Sequence, residues 1–254
     1  MSSRLEIIAL EGILEVAAGD RVGELIATAA SRAGLGLAST DIVVVSQKVV
    51  SKVEGRVRSL GDVEPGDRAR ALAAELDKDP RLVELILAET RRVVRAERGV
   101  LIVETAQGWI CANAGIDASN VPGDDAVTLL PLDADDSARC LRDEIETAAG
   151  VRPAVLIADS FGRPWRLGQA DVAIGCAGLR ALDDWRGRPD REGRELAATE
   201  IAVADELAAA ADLARDKTSG IPVVLIRGAQ RWITEDDGAG AAALRRAGAD
   251  DLFR

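Results

Sequence analysis

The stretch Asp159-Ser160-Phe161-Gly162-Arg163-Pro164-Trp165-Arg166-Leu167-Gly168-Gln169 sets a carboxylate and a hydroxyl beside two guanidinium groups, spaced by glycines and aromatic rings. Carboxylate and hydroxyl oxygens suit a hard cation such as Mg²⁺, which commonly bridges to substrate phosphates. Guanidinium groups grip carboxylates and phosphates through forked hydrogen bonds. The stretch follows Ala154–Ala158, an apolar run that reads as a short buried strand stopping at Asp159. Ligands bind beyond the carboxyl ends of strands in open α/β sheets, which makes this the leading candidate site. The competing reading is a structural Arg–Asp network.

Two further segments carry chemistry. In Ser46-Gln47-Lys48-Val49-Val50-Ser51-Lys52, two of the chain's four Lys (48, 52, 78 and 217) fall together, although basic residues number 32 and the rest are Arg. A Lys ammonium on its flexible stem reaches a terminal phosphate as a point charge; the alternative is a strand with two solvated lysines. In Asn113-Ala114-Gly115-Ile116-Asp117-Ala118-Ser119-Asn120-Val121, Asp117 and Asn120 offer hard oxygens, or else an Asx turn bonded to its own backbone. Asp205-Glu206 reads as a solvated helix face, and Arg91-Arg92-Val93-Val94-Arg95 as a helix C-terminus with charges that complement the dipole. The chain has no His, so Ser-His-Asp triads, Cys-His pairs and imidazole metal sites are excluded. Cys176 therefore reads as a small buried hydrophobe. Neither a P-loop pattern nor a G-x-G-x-x-G after a strand is present, so a nucleotide would need another architecture.

The elements that must position these groups follow from hydrophobic periodicity. Strands are expected at Leu5–Leu10, Ile42–Val50, Val100–Thr105, Trp109–Asn113, Ala154–Ala158 and Pro222–Ile226. Helices are expected at Val22–Gly34, Pro65–Leu76, Pro80–Glu89, Asp135–Ala148 and Ala202–Ala214, two of them opening on Pro in the first turn. Ala106-Gln107-Gly108 reads as a hairpin turn. The alternation predicts a mixed α/β chain.

The 254 residues are 48% hydrophobic, ample for a packed core, with a net charge of −11 that argues against a nonspecific nucleic-acid binder. Three cysteines without a C-x-x-C pattern read as reduced and intracellular. The first residues, MSSRLEIIALEG, do not form a signal peptide, and no apolar run approaches the ~20 residues of a membrane span. A cytoplasmic protein is expected.

The same segments resemble the coenzyme F420-0:L-glutamate ligase family, also called F420 gamma-glutamyl ligase. The matching stretches are Ser46–Arg56, Ile110–Val121, Asp159–Gly168, Gly175–Trp185 and Glu200–Leu213, and the likeness runs from about Leu5 to Phe253. The resemblance implies one ligase unit over residues 1–254, of α/β (mixed α+β) class, in two lobes and without a P-loop. It implies GTP, coenzyme F420-0 and L-glutamate as substrates, with an acyl phosphate formed from the γ-phosphoryl of GTP and attacked by the glutamate amine. A further glutamate can be added through the γ-carboxylate. It also implies Mg²⁺ or Mn²⁺, K⁺ and a homodimer. Carried over by position, Asp117 and Asp159 look like divalent-metal ligands, with Ser160 near a second metal. Ile13, Leu14, Glu15, Val16, Gln47, Lys48, Lys52 and Asn120 match positions associated with GTP. Gln47-Lys48 replaces hydroxyl residues common there, which leaves backbone contacts. Arg215–Ile221 resembles another nucleotide- and metal-contacting stretch, with Asp216 as a candidate ligand where relatives can carry an extra residue and a Glu. Arg163 and Arg166 are expected to act in catalysis by gripping substrate or the transferring phosphoryl group. The alternatives are another nucleotide-dependent acid–amino-acid ligase on this scaffold, or a noncatalytic metal–GTP binding module.

Overall fold

Strands that are apolar at every position need cover on both faces, and this chain supplies it. The computed structural model describes residues 4–119, 123, 125–215 and 219–252. In chain order the elements are β1 (Glu6–Leu10), α1 (Val22–Arg32), β2 (Ile42–Ser46), α2 (Gln47–Val53), β3 (Val57–Ser59), α3 (Asp67–Leu76) and α4 (Pro80–Ala88). There follow β4 (Thr90–Glu97), β5 (Val100–Thr105), β6 (Ile110–Ala112), β7 (Ala126–Thr128), α5 (Ala134–Ala149), β8 (Ala154–Arg163) and β9 (Arg166–Ala177). Then come β10 (Asp183–Asp184), β11 (Glu200–Ile201), α6 (Val203–Asp212) and β12 (Val223–Arg227).

A five-stranded sheet of order β1-β12-β2-β8-β9 forms the centre. Its one parallel pair is β2 with β8; the other neighbours are antiparallel. The pleat sorts its side chains to two faces. Val43, Val45, Val155, Ile157, Val223 and Leu225 pack with Ile26 of α1 and Leu141 and Ile145 of α5. Ile42, Val44, Leu156, Val224 and Ile226 pack on the other face with Val203, Leu207 and Ala208 of α6. Between β2 and β8 the chain builds a separate core, in which Ala69, Ala73, Leu76, Val83 and Ile86 of α3 and α4 pack on Leu101 and Val103 of the β4-β5-β6 sheet. Among the described residues no helix is long and apolar enough to cross a membrane.

The mixed α/β class is as expected, but four local expectations are corrected. The strand expected over Ile42–Val50 stops at Ser46, and Gln47–Val53 is helical. Val49 and Val50 are buried from the helix, so the apolar β-branched run continues across a change of period. The strand expected to end at Ala158 continues to Arg163 and turns through Pro164-Trp165 into β9, with Trp165 at φ 60°. Its outer half leaves the core as a two-stranded ribbon, which removes the apolar signal. Arg91–Arg95 lies in β4 instead of closing a helix, its charges exposed and paired with Glu104 and Glu97. Helix α3 begins at Asp67 with Gly66 as its cap, so Pro65 precedes it.

Gly175 shows how closely α5 docks on β9. A Cβ there would lie 2.2 Å from the Ala134 carbonyl oxygen, a backbone atom with no side-chain rotation to relieve it. Gly175→Ala is expected to destabilise the fold by about 3 kcal/mol, lowering Tm by roughly 10 °C in calorimetry. An unchanged Tm would show that α5 can shift freely on the sheet.

Candidate functional site

The parallel register sets Ser46 of β2 opposite Ala158 of β8, so both strands deliver their next residues to one edge of the sheet. Lys48 and Lys52 rise there from α2, and Asp159 and Ser160 from the β8–β9 ribbon. A cleft of about 1900 Å³ opens at this edge, bounded by Ile13–Val16, the ribbon, the β4-β5-β6 sheet and the turn from Asn113 to Asp117.

Asp159 is the electrostatic centre of the cleft. It forms no ion pair among the described residues. Burial pushes its carboxyl up to about pKa 7, the charges of Asp171 and Asp117 push the same way, and the Ser160 backbone N–H and Lys48 only partly oppose them. Such an uncompensated carboxylate, near two others, favours a cation. Asp117 is pinned by backbone bonds to Thr128 on both sides, at 3.1 and 2.8 Å. Burial alone would raise its pKa, but Lys48 Nζ at 2.7 Å and the Ser119 N–H, also at 2.7 Å, hold the carboxyl below its ordinary value. Lys48 also donates to Ser119 Oγ at 2.6 Å, and Lys52 pairs with Glu15.

Asp117, Asp159 and Ser160 therefore share one cleft with both lysines. Their hard oxygens fit Mg²⁺ or Mn²⁺, with remaining positions left to water or phosphate. Among the described residues no three acidic or thiol groups form a closed metal cage. Of the segment Ile13–Val16, Ile13 and Val16 bury their side chains while Leu14 and Glu15 are exposed, so the strip lies along the cleft rim. Gln47 is turned inward: it is 1% exposed, and its Nε2 donates to Ser51 Oγ and to the Leu129 carbonyl at 3.2 Å. Its side chain does not reach the cleft. Both arginines of the ribbon are exposed, but Arg163 lines the cleft and donates to the Leu167 carbonyl at 2.7 Å, whereas Arg166 lies outside the wall. Asn120 and Asp216 lie outside the described residues.

Three cleft residues were not singled out in the sequence. Asp171 on β9 accepts from Ser160 Oγ at 2.6 Å and pairs with Arg215. Asn113 opens a run of left-handed residues, with φ 52° there, 56° at Ala114 and 70° at Gly115. Its Oδ1 is buried and has no hydrogen-bond partner among the described residues. Asn before Ala-Gly was the available signal, since Asn tolerates this conformation best after Gly. Cys111 borders the cleft, but burial and the Asp159 charge push its thiol up to about 12, so it is no nucleophile. Burial likewise raises Cys176 to about 12. Asp205 is not a solvated group: it accepts the Ala173 N–H at 2.9 Å.

In protein stripped of divalent cations, Asp159 makes stability depend on pH. Its folded value of about 7 exceeds the ordinary 3.8, so the folded chain holds the extra proton between those limits. Its contribution is most favourable below that window and is lost as pH rises through it. Asp159→Asn is expected to equal wild type near pH 4 and to exceed it at pH 8, by on the order of 2 kcal/mol or more in urea unfolding. A difference independent of pH would place Asp159 at its ordinary value.

The profile of the F420-0:Gamma-glutamyl ligase family matches residues 12–228. The coenzyme F420:L-glutamate ligase of Methanothermobacter thermautotrophicus is 42% identical over 251 residues, covering 98% of this chain and 99% of that protein. Its counterpart in Haloarcula marismortui is 46% identical over 230 residues, covering 88% and 87%. The protein of the same name in Methanopyrus kandleri is 41% identical, covering 99% and 97%. A match of this extent, on a chain whose motifs line one cleft, places the protein in the F420-0:gamma-glutamyl ligase family.

Proposed function

We propose that this chain is a GTP-dependent ligase that joins the amine of L-glutamate to the lactyl carboxylate of coenzyme F420-0, in coenzyme F420 biosynthesis. The observation that carries this reading is the desolvated Asp159, which has no ion pair among the described residues and lines, with Lys48 and Lys52, a cleft large enough for a nucleotide and a second substrate. In this reading the ligation passes through an acyl phosphate: the acceptor carboxylate oxygen attacks the γ-phosphorus, and GDP leaves with the bridging oxygen's electrons. The glutamate nitrogen then attacks the acyl carbon, losing a proton and expelling inorganic phosphate. Neither step needs a protein nucleophile, so a chain without His or an activated Cys is suited to it.

Asp117 and Asp159 would hold Mg²⁺ or Mn²⁺, with Ser160 near a second metal, and the cation would supply positive charge to the phosphate oxygens, with K⁺ as a further ionic requirement. Lys48 and Lys52 are already ion-paired within the cleft, so each can exchange a carboxylate for a phosphate oxygen without leaving its place. The strip Ile13–Val16 and the start of α2 offer backbone groups to the nucleotide, and by family likeness Asn120 serves the nucleotide and Asp216 is a candidate metal ligand. Arg163 at the ribbon tip is placed to grip an anionic part of the acceptor. The protein works as a cytoplasmic homodimer and can extend its product by a further γ-linked glutamate.

The deciding experiment supplies GTP, Mn²⁺, F420-0 and L-glutamate together and with each omitted. GDP is expected only when both acid and amino acid are present, with a glutamylated product by mass spectrometry. GDP release that ignores either substrate would defeat the ligase reading. Arg163→Ala is expected to lower kcat/KM by ~10²-fold, on the scale of one lost transition-state donor, and Arg166→Ala to change it far less. Equal losses in both would remove the distinction between cleft wall and outer ribbon.

A further inference from the structure

Asp171 has no part in the chemistry described above, yet it is the most deeply buried acid of the cleft wall, at 4% exposure. It lies on β9 directly opposite Ser160 of β8. Its two oxygens are committed in different directions. Oδ1 accepts the Ser160 hydroxyl proton at 2.6 Å, and Oδ2 takes Nη2 of Arg215. Arg215 follows α6 where the chain sets out toward β12, and its side chain is only 9% exposed while bordering the same cleft.

A serine hydroxyl rotates freely until its proton is claimed. With that proton directed at Asp171, Ser160 Oγ meets the cleft as an acceptor, the orientation a hard cation requires. The charge of Arg215 keeps Asp171 from standing as a lone buried carboxylate, and Asp171 in turn fixes the guanidinium on the cleft wall. Removing one member of such a buried pair strands the other, so ribbon and helix end are coupled through this side chain.

We propose that Asp171 is a positioning residue of the ligase site, holding the Ser160 hydroxyl as an oxygen donor to a divalent cation and anchoring Arg215 to the β8–β9 ribbon. The consequence for turnover rests on the ligase reading; the tether itself does not. Partners that orient metal ligands typically contribute 10–100-fold in metal affinity.

The test titrates Mn²⁺ alone against the thermal midpoint of wild type, Asp171→Asn, Asp171→Ala, Ser160→Ala and the double variant Ser160→Ala/Asp171→Ala. Asp171→Ala is expected to raise half-saturating Mn²⁺ about tenfold or more. The volume-conserving Asp171→Asn gives a smaller rise in the same direction. The double variant should bind Mn²⁺ no more weakly than Ser160→Ala, because Asp171 acts through that hydroxyl. Wild-type half-saturation in Asp171→Asn, or full additivity in the double variant, overturns the proposal, as does a wild-type midpoint indifferent to Mn²⁺. A chain that shows the expected Mn²⁺ series but does not couple GTP to acid and amino acid defeats the ligase reading and leaves the Asp171 assignment standing.

Discussion

In the central sheet β2 and β8 run side by side in the same direction, with Ser46 facing Ala158. Two strands paired in this way must release their next residues at one edge. What they release differs: β2 turns at once into α2, while β8 runs on as a ribbon with β9. Lys48 and Lys52 thus come from a helix and Asp159 and Ser160 from an extended strand, yet all four reach one space. Shifting β8 by one residue would exchange every side chain between the two cores and turn Asp159 away from the lysines. The alternation of Val43 and Val45 with Ile42 and Val44 between those cores opposes such a shift, so the packing that stabilises the sheet also aims the site.

The charge balance of the cleft rests on the same geometry. The chain as a whole is acidic, at −11, but the cleft sets Lys48, Lys52, Arg95, Arg163, Arg215 and Arg246 among its carboxylates. Lys48 with Asp117, Lys52 with Glu15 and Arg215 with Asp171 form three ion pairs among them. Asp159 is left outside the pairing and carries the burial cost, which its raised pKa records. In a chain without His, it is also the cleft carboxyl that burial brings near neutrality. Protonation and a nearby positive charge relieve the same desolvation at this side chain: each supplies positive charge where water has been excluded.

Most elements were legible because amphipathic helices and two-faced strands carry their own periods: α1, α4, α5, α6 and β12 lie within two residues of where periodicity puts them. The failures have a common cause. From Ile42 to Val50 the sequence is apolar and β-branched without a break, and nothing local marks Ser46 as the point where period 2 becomes 3.6. Beyond Ala158 the reverse holds: the strand continues while its burial ends. Sheet order was not legible, since β1 and β12 meet from opposite ends of the chain. The same limit governs the site. Lys48, Asp117 and Asp159 could be chosen by residue type within their own segments, and family likeness joined them. Asp171 and Arg215 matter only through partners 11 and 44 residues distant, respectively Ser160 and Asp171, which require the ribbon register and the return of α6.

The turn before Asp117 shows how a strained backbone can be held without regular structure. Asn113, Ala114 and Gly115 all take positive φ, a sequence of conformations that costs of order 1 kcal/mol or more for each residue with a Cβ. Ala114 is 2% exposed and packs with α3 and α4, and the Ile116 N–H closes back on the Asn113 carbonyl at 3.0 Å. Gly115 has no alternative, since a Cβ there would lie 2.7 Å from the Leu130 side chain. The turn is thus braced from the second core on one side and from Leu130, which belongs to the first, on the other. Asp117 follows it immediately and is tied to Thr128, so its carboxylate is fixed relative to both cores rather than to either alone. A cleft between two packed bodies keeps its geometry only if some segment is anchored in both, and this short left-handed run provides that anchorage.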